Sequence, residues 1–200
     1  MTRDVEKFVI FYKRRLGSKI IDKEVEYIRG NLKTGDKILD IGCGIGWLEE
    51  ELRDFDIIGL DNSKEMLKEA RKRSDKAFVL GDAENLRFED GSFDVTIYVT
   101  TLEFLSDYGK AVKESYRVLK PKGRLLAMVI NPGSEYFKEH VKKRSSFFRR
   151  IKHTNLNEIG NYISKYFSIS TRYFLGVKDE VFDTTDPNLA SLYVITGSKK

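Results

Sequence analysis

Apolar positions along the chain follow two rhythms. Short apolar runs at Lys37–Ile41, 57–61, Ala77–Leu80, Phe93–Val99 and 124–130 alternate with stretches in which hydrophobic residues recur every three or four positions. The runs predict buried strands and the intervening stretches amphipathic helices. Two helices come first: 5–16, with an aromatic and apolar face, and 19–32, where Ile20, Ile21, Val25 and Ile28 recur. Residues 64–73 form a helix with Met66, Leu67 and Ala70 on one face and Ser63 as its N-cap. A further helix, 107–119, stops at the turn signal Lys120-Pro121-Lys122-Gly123. Past Asn131-Pro132-Gly133, itself expected to be a turn, the alternation breaks. The pattern then predicts a helix over 134–151 with Phe137, Val141, Phe148 and Ile151 along one stripe. A second helix, 155–166, is capped by Asn155 with Glu158 at capping-box spacing. A strand at 168–175, a long polar loop at 176–190 and a closing strand at 191–196 complete the reading.

Strands alternating with helices require right-handed crossovers and a mainly parallel sheet. The expected fold is therefore α/β: a Rossmann-like, doubly wound, mostly parallel seven-stranded sheet with helices on both faces and a helical lid. It is read as a single domain over 1–200, with N-terminal helices (1–33), a central core (34–130), a basic helical lid (131–167) and C-terminal strands (168–200). Ligands in such sheets lie outside the carboxyl ends of the strands. Asp40, Asp61, Asp82 and the pair Val99-Thr100 all fall at such ends, so four segments converge on one cleft.

Composition sharpens this only in places. At 200 residues, 40% hydrophobic and 34% charged, the chain suits one globular domain. No apolar run approaches a membrane span, and the N-terminus lacks the uncharged core of a signal peptide, so the cytoplasm is the expected location. A single cysteine excludes an internal disulfide and disfavours a zinc site, and no metal is expected. The absence of Gln beside abundant Lys, Glu and Arg resembles hyperthermophile usage. The net charge of +5 is local: 138–152 carries seven basic residues against Glu139, a net of +6, which leaves −1 for the rest.

The glycines at 42, 44 and 46 follow the first strand and open a helix, the layout of a nucleotide-binding turn. A dinucleotide site needs G-x-G-x-x-G/A, whose third small residue lets the helix pack on the strand. Trp47 occupies that position here, which disfavours this reading even though Asp61 could meet a ribose. Leu39-Asp40-Ile41-Gly42-Cys43-Gly44-Ile45-Gly46 instead resembles the first motif of class I S-adenosylmethionine-dependent methyltransferases. The resemblance continues through Gly59-Leu60-Asp61-Asn62-Ser63, Gly81-Asp82-Ala83-Glu84-Asn85-Leu86-Arg87-Phe88, Ser92-Phe93-Asp94-Val95 and Glu114-Ser115-Tyr116-Arg117-Val118-Leu119-Lys120-Pro121-Lys122-Gly123. Five motifs stand in order from about Thr34 to Ile130, as in the branch that includes the ubiquinone and menaquinone biosynthesis methyltransferases.

The resemblance implies S-adenosylmethionine as cofactor, S-adenosylhomocysteine as product, and a role for each matched position. The loop of Gly42, Cys43, Gly44 and Gly46 passes under the methionine portion, with Asp40 near its amino end. Asp61 accepts from both ribose hydroxyls, and Asn62 and Met66 flank the adenine. Asp82 accepts from the adenine amino group, and the Ala83 backbone meets a ring nitrogen. Val99 and Thr100 contact the methionine end; many relatives carry His where Thr100 stands, so a base at that position is not carried over. Cys43 sits in the cofactor loop without a partner base and is not read as a nucleophile.

The residues available to orient or deprotonate an acceptor are Glu103, Tyr12, Tyr136 and His140. His140 and His153 are otherwise expected on the surface of a basic helix. The lid and the aromatic N-terminal helix (Phe8, Phe11, Tyr12) would cover a small-molecule substrate, and the lid's charge favours an anionic one or the phosphates of RNA. The alternatives are thus an RNA-directed methyltransferase using 138–152 and a non-catalytic cofactor-binding protein. The acceptor and the oligomeric state are not written in the sequence.

Overall fold

The computed structural model describes residues 3–200. Five parallel strands occupy the first two thirds of the chain: β1 (Lys37–Ile41), β2 (Asp56–Asp61), β3 (Ala77–Leu80), β4 (Phe93–Val99) and β5 (Leu119–Ile130). Antiparallel strands β6 (Phe167–Val177), β7 (Val181–Phe182) and β8 (Ala190–Lys199) extend them into one sheet ordered β3-β2-β1-β4-β5-β8-β6-β7. Among the described residues seven α-helices accompany the sheet: α1 (Arg3–Lys13), α2 (Arg15–Gly30), α3 (Trp47–Glu51), α4 (Lys64–Ala70), α5 (Tyr108–Val118), α6 (Glu135–His140) and α7 (Leu156–Ile163).

Both faces of the sheet are covered, which is why β1 and β4 read as almost unbroken apolar runs. On one face α5 and α7 bring Ala111, Val112, Val118, Ile159 and Ile163 onto Phe93, Tyr98 and Leu125. On the other, Ile20 and Ile28 of α2 and Leu48 of α3 pack on Ile38, Ile57, Ile97 and Met128. Strand order reverses beside β1, between β2 and β4, and this opens the crevice at their carboxyl ends. Ser63 and Asn155 cap α4 and α7 as their spacing predicts, accepting from Met66 N–H at 3.2 Å and Glu158 N–H at 3.1 Å.

Three expectations change. The sheet has eight strands rather than seven, because β6 runs on to Val177 and forms a hairpin with β7 inside the segment read as a polar loop. The turn at Lys120-Pro121-Lys122-Gly123 lies within β5: Phe93 pairs with Leu119 and Val95 with Arg124, so the intervening residues loop out before pairing with the same neighbour resumes. The predicted helix 134–151 ends at His140 and continues as turns and a short 3₁₀ segment, Phe147–Arg150. Adjacent like charges at Lys142, Lys143 and Arg144 and the pair Ser145-Ser146 disfavour a continuous helix. The Ser146 hydroxyl instead accepts from Phe148 N–H at 3.3 Å. Of the expected stripe, Phe137, Phe148 and Ile151 pack on one core, and Val141 is not among the residues of that core.

Arg117 on α5 ties down the loop after β3. Its guanidinium donates to Leu86 O at 2.7 Å, Phe88 O at 2.8 Å and Asp90 at 2.8 Å, and forks onto Glu114 at 2.8 and 2.9 Å. Glu114 in turn accepts from Leu86 N–H at 2.8 Å. Arg117→Met is expected to cost about 2–4 kcal/mol, because backbone carbonyls lose a charged donor and Glu114 loses its partner. Urea denaturation would measure the loss, with hydrogen exchange faster over residues 84–90.

Candidate functional site

The crevice is built from the loop that joins β1 to α3. Gly42, Gly44 and Gly46 all take positive φ, at 83°, 55° and 75°. A side chain at Gly42 would place its Cβ 2.4 Å from Thr101 Oγ1, and one at Gly46 would lie 2.8 Å from Ala70 Cβ. The loop therefore holds its shape only with glycine. It is tied to β2 by Gly42 and Cys43 N–H groups donating to Leu60 O at 2.7 and 3.0 Å.

Asp61, at the end of β2, accepts from Gly44 N–H at 3.0 Å and Ser63 N–H at 2.8 Å, one on each carboxylate oxygen. Burial pushes its pKa up, while the backbone donors of Ser63, Gly44 and Asn62 pull it down. Asp40, at the end of β1, is 3% exposed, and burial together with the nearby Asp61 raises it to about 8. Asp82 lies exposed beyond β3, with one oxygen accepting from Glu84 N–H at 2.9 Å, and Ala83 beside it is buried. Asn62 is exposed and Met66 half-buried at the start of α4. Thr100 has φ 48°, unusual for a branched residue, and donates its N–H to Met128 O at 2.7 Å. Four strand ends thus bring Asp40, Asp61, Asp82 and Val99-Thr100 to one edge of the sheet. Cys43 is sealed at 3% exposure, and burial raises its thiol far above the ordinary range.

The residues read as acceptor-facing separate into two groups. Tyr12 of α1 lies against the loop, its ring 6.1 Å from Trp47 and 6.0 Å from the Arg73 guanidinium. Tyr136 of α6 packs on His140 at 4.1 Å and Phe148 at 5.8 Å. His140 is half-buried rather than a free surface group, with Nδ1 bonded to Tyr136 O at 2.8 Å. His153 is likewise half-buried, 3.0 Å from Leu105 O. Glu103 turns inward instead. Fully buried, it accepts from Ile130 N–H at 2.9 Å, and its backbone carbonyl accepts from Lys152 and His153 N–H groups. Glu103 therefore joins the ends of β4 and β5 to the segment that follows α6. Burial lifts its carboxyl to about 7.

Two acids escaped the sequence reading. Glu49 is fully buried in α3 with neither carboxylate oxygen hydrogen-bonded among the described residues, and it occupies space left by Gly59, where a Cβ would come 2.4 Å from its Oε1. Glu24 is 7% exposed on α2. Its spacing from Ile20 and Ile28 was the available signal, because i, i+4, i+8 places all three on one face.

Residues 39–127 match the model of a methyltransferase domain. A demethylmenaquinone methyltransferase of Thermotoga maritima is 39% identical over 48% of this chain and 44% of its own length. A SAM-dependent methyltransferase structure from Thermotoga maritima, described as a possible histamine N-methyltransferase, superposes with a TM-score of 0.80 at 27% identity, covering 98% of this chain and 95% of that one. The chain belongs to the class I S-adenosylmethionine-dependent methyltransferases. An uncharacterised Methanocaldococcus jannaschii protein is 34% identical over 70% of this chain and 67% of its own. The chain spans less than half the length of the curated demethylmenaquinone methyltransferases it matches. Members of the family use S-adenosylmethionine as methyl donor, and the glycine cradle and the two strand-end acids of this chain fit that group. No helix among the described residues is long and apolar enough to cross a membrane.

Proposed function

We propose that this methyltransferase transfers a methyl group from S-adenosylmethionine to a small-molecule acceptor. The observation that carries the reading is Asp61, whose two carboxylate oxygens stand at the end of β2 beside a loop that only glycines can form. A carboxylate so placed accepts from both hydroxyls of a ribose. Asp40 receives the amino end of the methionine portion above Gly42, Cys43, Gly44 and Gly46. Asn62 and Met66 flank the adenine, Asp82 and the Ala83 N–H read its edge, and Val99 and Thr100 border the methionine end. Bound S-adenosylmethionine supplies a methyl on a sulfonium, already a good leaving group. The chain's own work is alignment and exclusion of water, which Tyr12, Tyr136 and the segment after β5 provide from above.

The segment after α6 carries exposed positive charge. Lys142, Lys143, Arg144 and Arg149 are exposed, while Arg150 is paired with Asp4 at 2.6 Å. This favours an acceptor with an anionic group on its outer side. Calorimetric titration with S-adenosylmethionine, S-adenosylhomocysteine and NADH tests the reading. Stoichiometric binding of the two adenosyl ligands, without NADH, is expected; binding of NADH alone would overturn it.

A further inference from the structure

Glu24 has no structural reason to be an acid. It stands between Ile20 and Ile28 on the buried face of α2, where another aliphatic residue would continue the stripe. Its carboxyl has no hydrogen-bond or ion-pair partner among the described residues, and burial alone raises it, to about 8. A lone buried carboxyl costs stability. That cost calls for an explanation in terms of what the carboxyl meets.

Its position supplies one. The C-terminal end of α2 lies at the bottom of the sheet, where Asn31 O accepts from Arg124 at the start of the paired part of β5. Seven helical residues above Asn31 is a climb of about 10 Å, and Asp40 lies a similar distance, about 10 Å, up β1 from Lys37. Glu24 therefore stands at about the height of Asp40 along the sheet. Its charge reaches the phenols of Tyr12 and Tyr136 and raises both, and Tyr12 also feels Asp40. The packing agrees: Phe11 of α1, Ile20 of α2 and Tyr136 of α6 share one apolar cluster with Trp47, the residue that follows the glycine loop and lies 6.1 Å from Tyr12, so three elements converge beside that loop.

We propose that Glu24 receives the protonated amino group of the acceptor, so that the enzyme methylates the nitrogen of an amine whose apolar body lies along Tyr12 and Tyr136. The inference rests on the methyltransferase reading above. The ammonium pairs with the carboxylate, and the aromatic rings favour the same cation. One N–H proton passes to Glu24, freeing the nitrogen lone pair. That pair forms the new N–C bond as the C–S bond breaks, and the C–S electrons stay on sulfur. The positive charge lost by sulfur appears on the methylated nitrogen, and Glu24 returns its proton to water after product leaves.

The test uses 2-phenylethylamine and its uncharged counterpart 2-phenylethanol, each titrated into protein saturated with S-adenosylhomocysteine. Wild type, Glu24→Gln and Glu24→Asp are compared. S-adenosylhomocysteine affinity is expected to stay within about threefold across the three proteins. The amine should bind wild type and lose about tenfold or more in Glu24→Gln, with partial recovery in Glu24→Asp, as for loss of a charge-assisted contact. The alcohol should not respond to the substitutions. A thermal midpoint of Glu24→Gln at or above that of wild type would show that the loss is recognition and not unfolding. The proposal is overturned if the amine binds no better than the alcohol, or if Glu24→Gln leaves amine binding unchanged. It is also overturned if S-adenosylhomocysteine affinity falls as far as amine affinity, which would place Glu24 in the cofactor site, or if the variant's midpoint drops, which would make its role structural. Wild type that binds amine but no S-adenosylhomocysteine, or neither, would overturn the methyltransferase reading and this one together.

Discussion

Asp61→Ala is expected to weaken S-adenosylhomocysteine binding by about two orders of magnitude or more. Each hydrogen bond from a ribose hydroxyl to a carboxylate contributes about 1.5–3 kcal/mol, and a factor of ten corresponds to about 1.4 kcal/mol. Losing two such bonds therefore suffices for a hundredfold effect even after partial compensation by water. A second contribution adds to it. The same carboxylate holds Gly44 N–H and Ser63 N–H, so its removal also frees the middle of the glycine loop and the start of α4. Asp61→Asn keeps an acceptor oxygen and should fall between the two, at a loss of roughly tenfold. Calorimetry on folded variants, with circular dichroism to confirm the fold, gives the answer. Equal affinity of Asp61→Ala and wild type would remove Asp61 from the site.

The stability of the ligand-free protein is expected to fall steadily from about pH 5 to pH 8, where many proteins have a plateau. Glu24 and Asp40 are each lifted to about 8 and Glu103 to about 7, all chiefly by burial. Their unfolded values lie near 4. The folded state then binds more protons than the unfolded state across this window, so unfolding releases protons and stability decreases as pH rises. It is fully present below the unfolded pKa values and is lost as pH passes through the folded ones. Each group fully engaged in the window removes up to about 1.4 kcal/mol per pH unit. Glu49 belongs to the same set, raised well above its ordinary value by burial and by the Asp40 charge. Replacing it with Met removes a carboxyl that has no hydrogen bond and should stabilise the fold by about 1–3 kcal/mol at pH 8, and less at pH 5. Thermal melts of both proteins across the range would show the slope, and a flat wild-type profile would contradict it.

Much of this architecture was legible because parallel strands leave strong marks. The runs around Ile38, Ile57 and Ile97 are apolar on both faces, and the glycines at 42, 44 and 46 cannot be read as ordinary helix or strand. The acids that end β1 and β2 stood out because nothing in a buried strand asks for a charge there. The segment after β5 was harder. Phe137 and Phe148 pack 5.8 Å apart in near-parallel planes whether the chain between them is helical or not, so periodicity gave the right inner face and the wrong backbone. β7 is two residues long, too short to carry a pattern. Glu24 and Glu49 were missed because a charged residue on a helix is normally a solvated one. Only the register of Glu24 with Ile20 and Ile28, and the room that Gly59 leaves for Glu49, distinguish them. The first is present in the spacing along α2, whereas the second depends on knowing that α3 faces β2.

Cys43 has a practical use. It is the chain's single thiol, enclosed between the glycine loop and Phe78 and held protonated by its surroundings. Maleimide reagents attack thiolates that solvent can reach, so the wild-type background is effectively silent to them. A cysteine introduced at an exposed position of the segment beyond β5, such as Lys142→Cys, would then be the sole labelled site. A fluorophore or spin label there could follow the mobility and solvent exposure of this segment as adenosyl ligands and amines are added, without first removing a native cysteine.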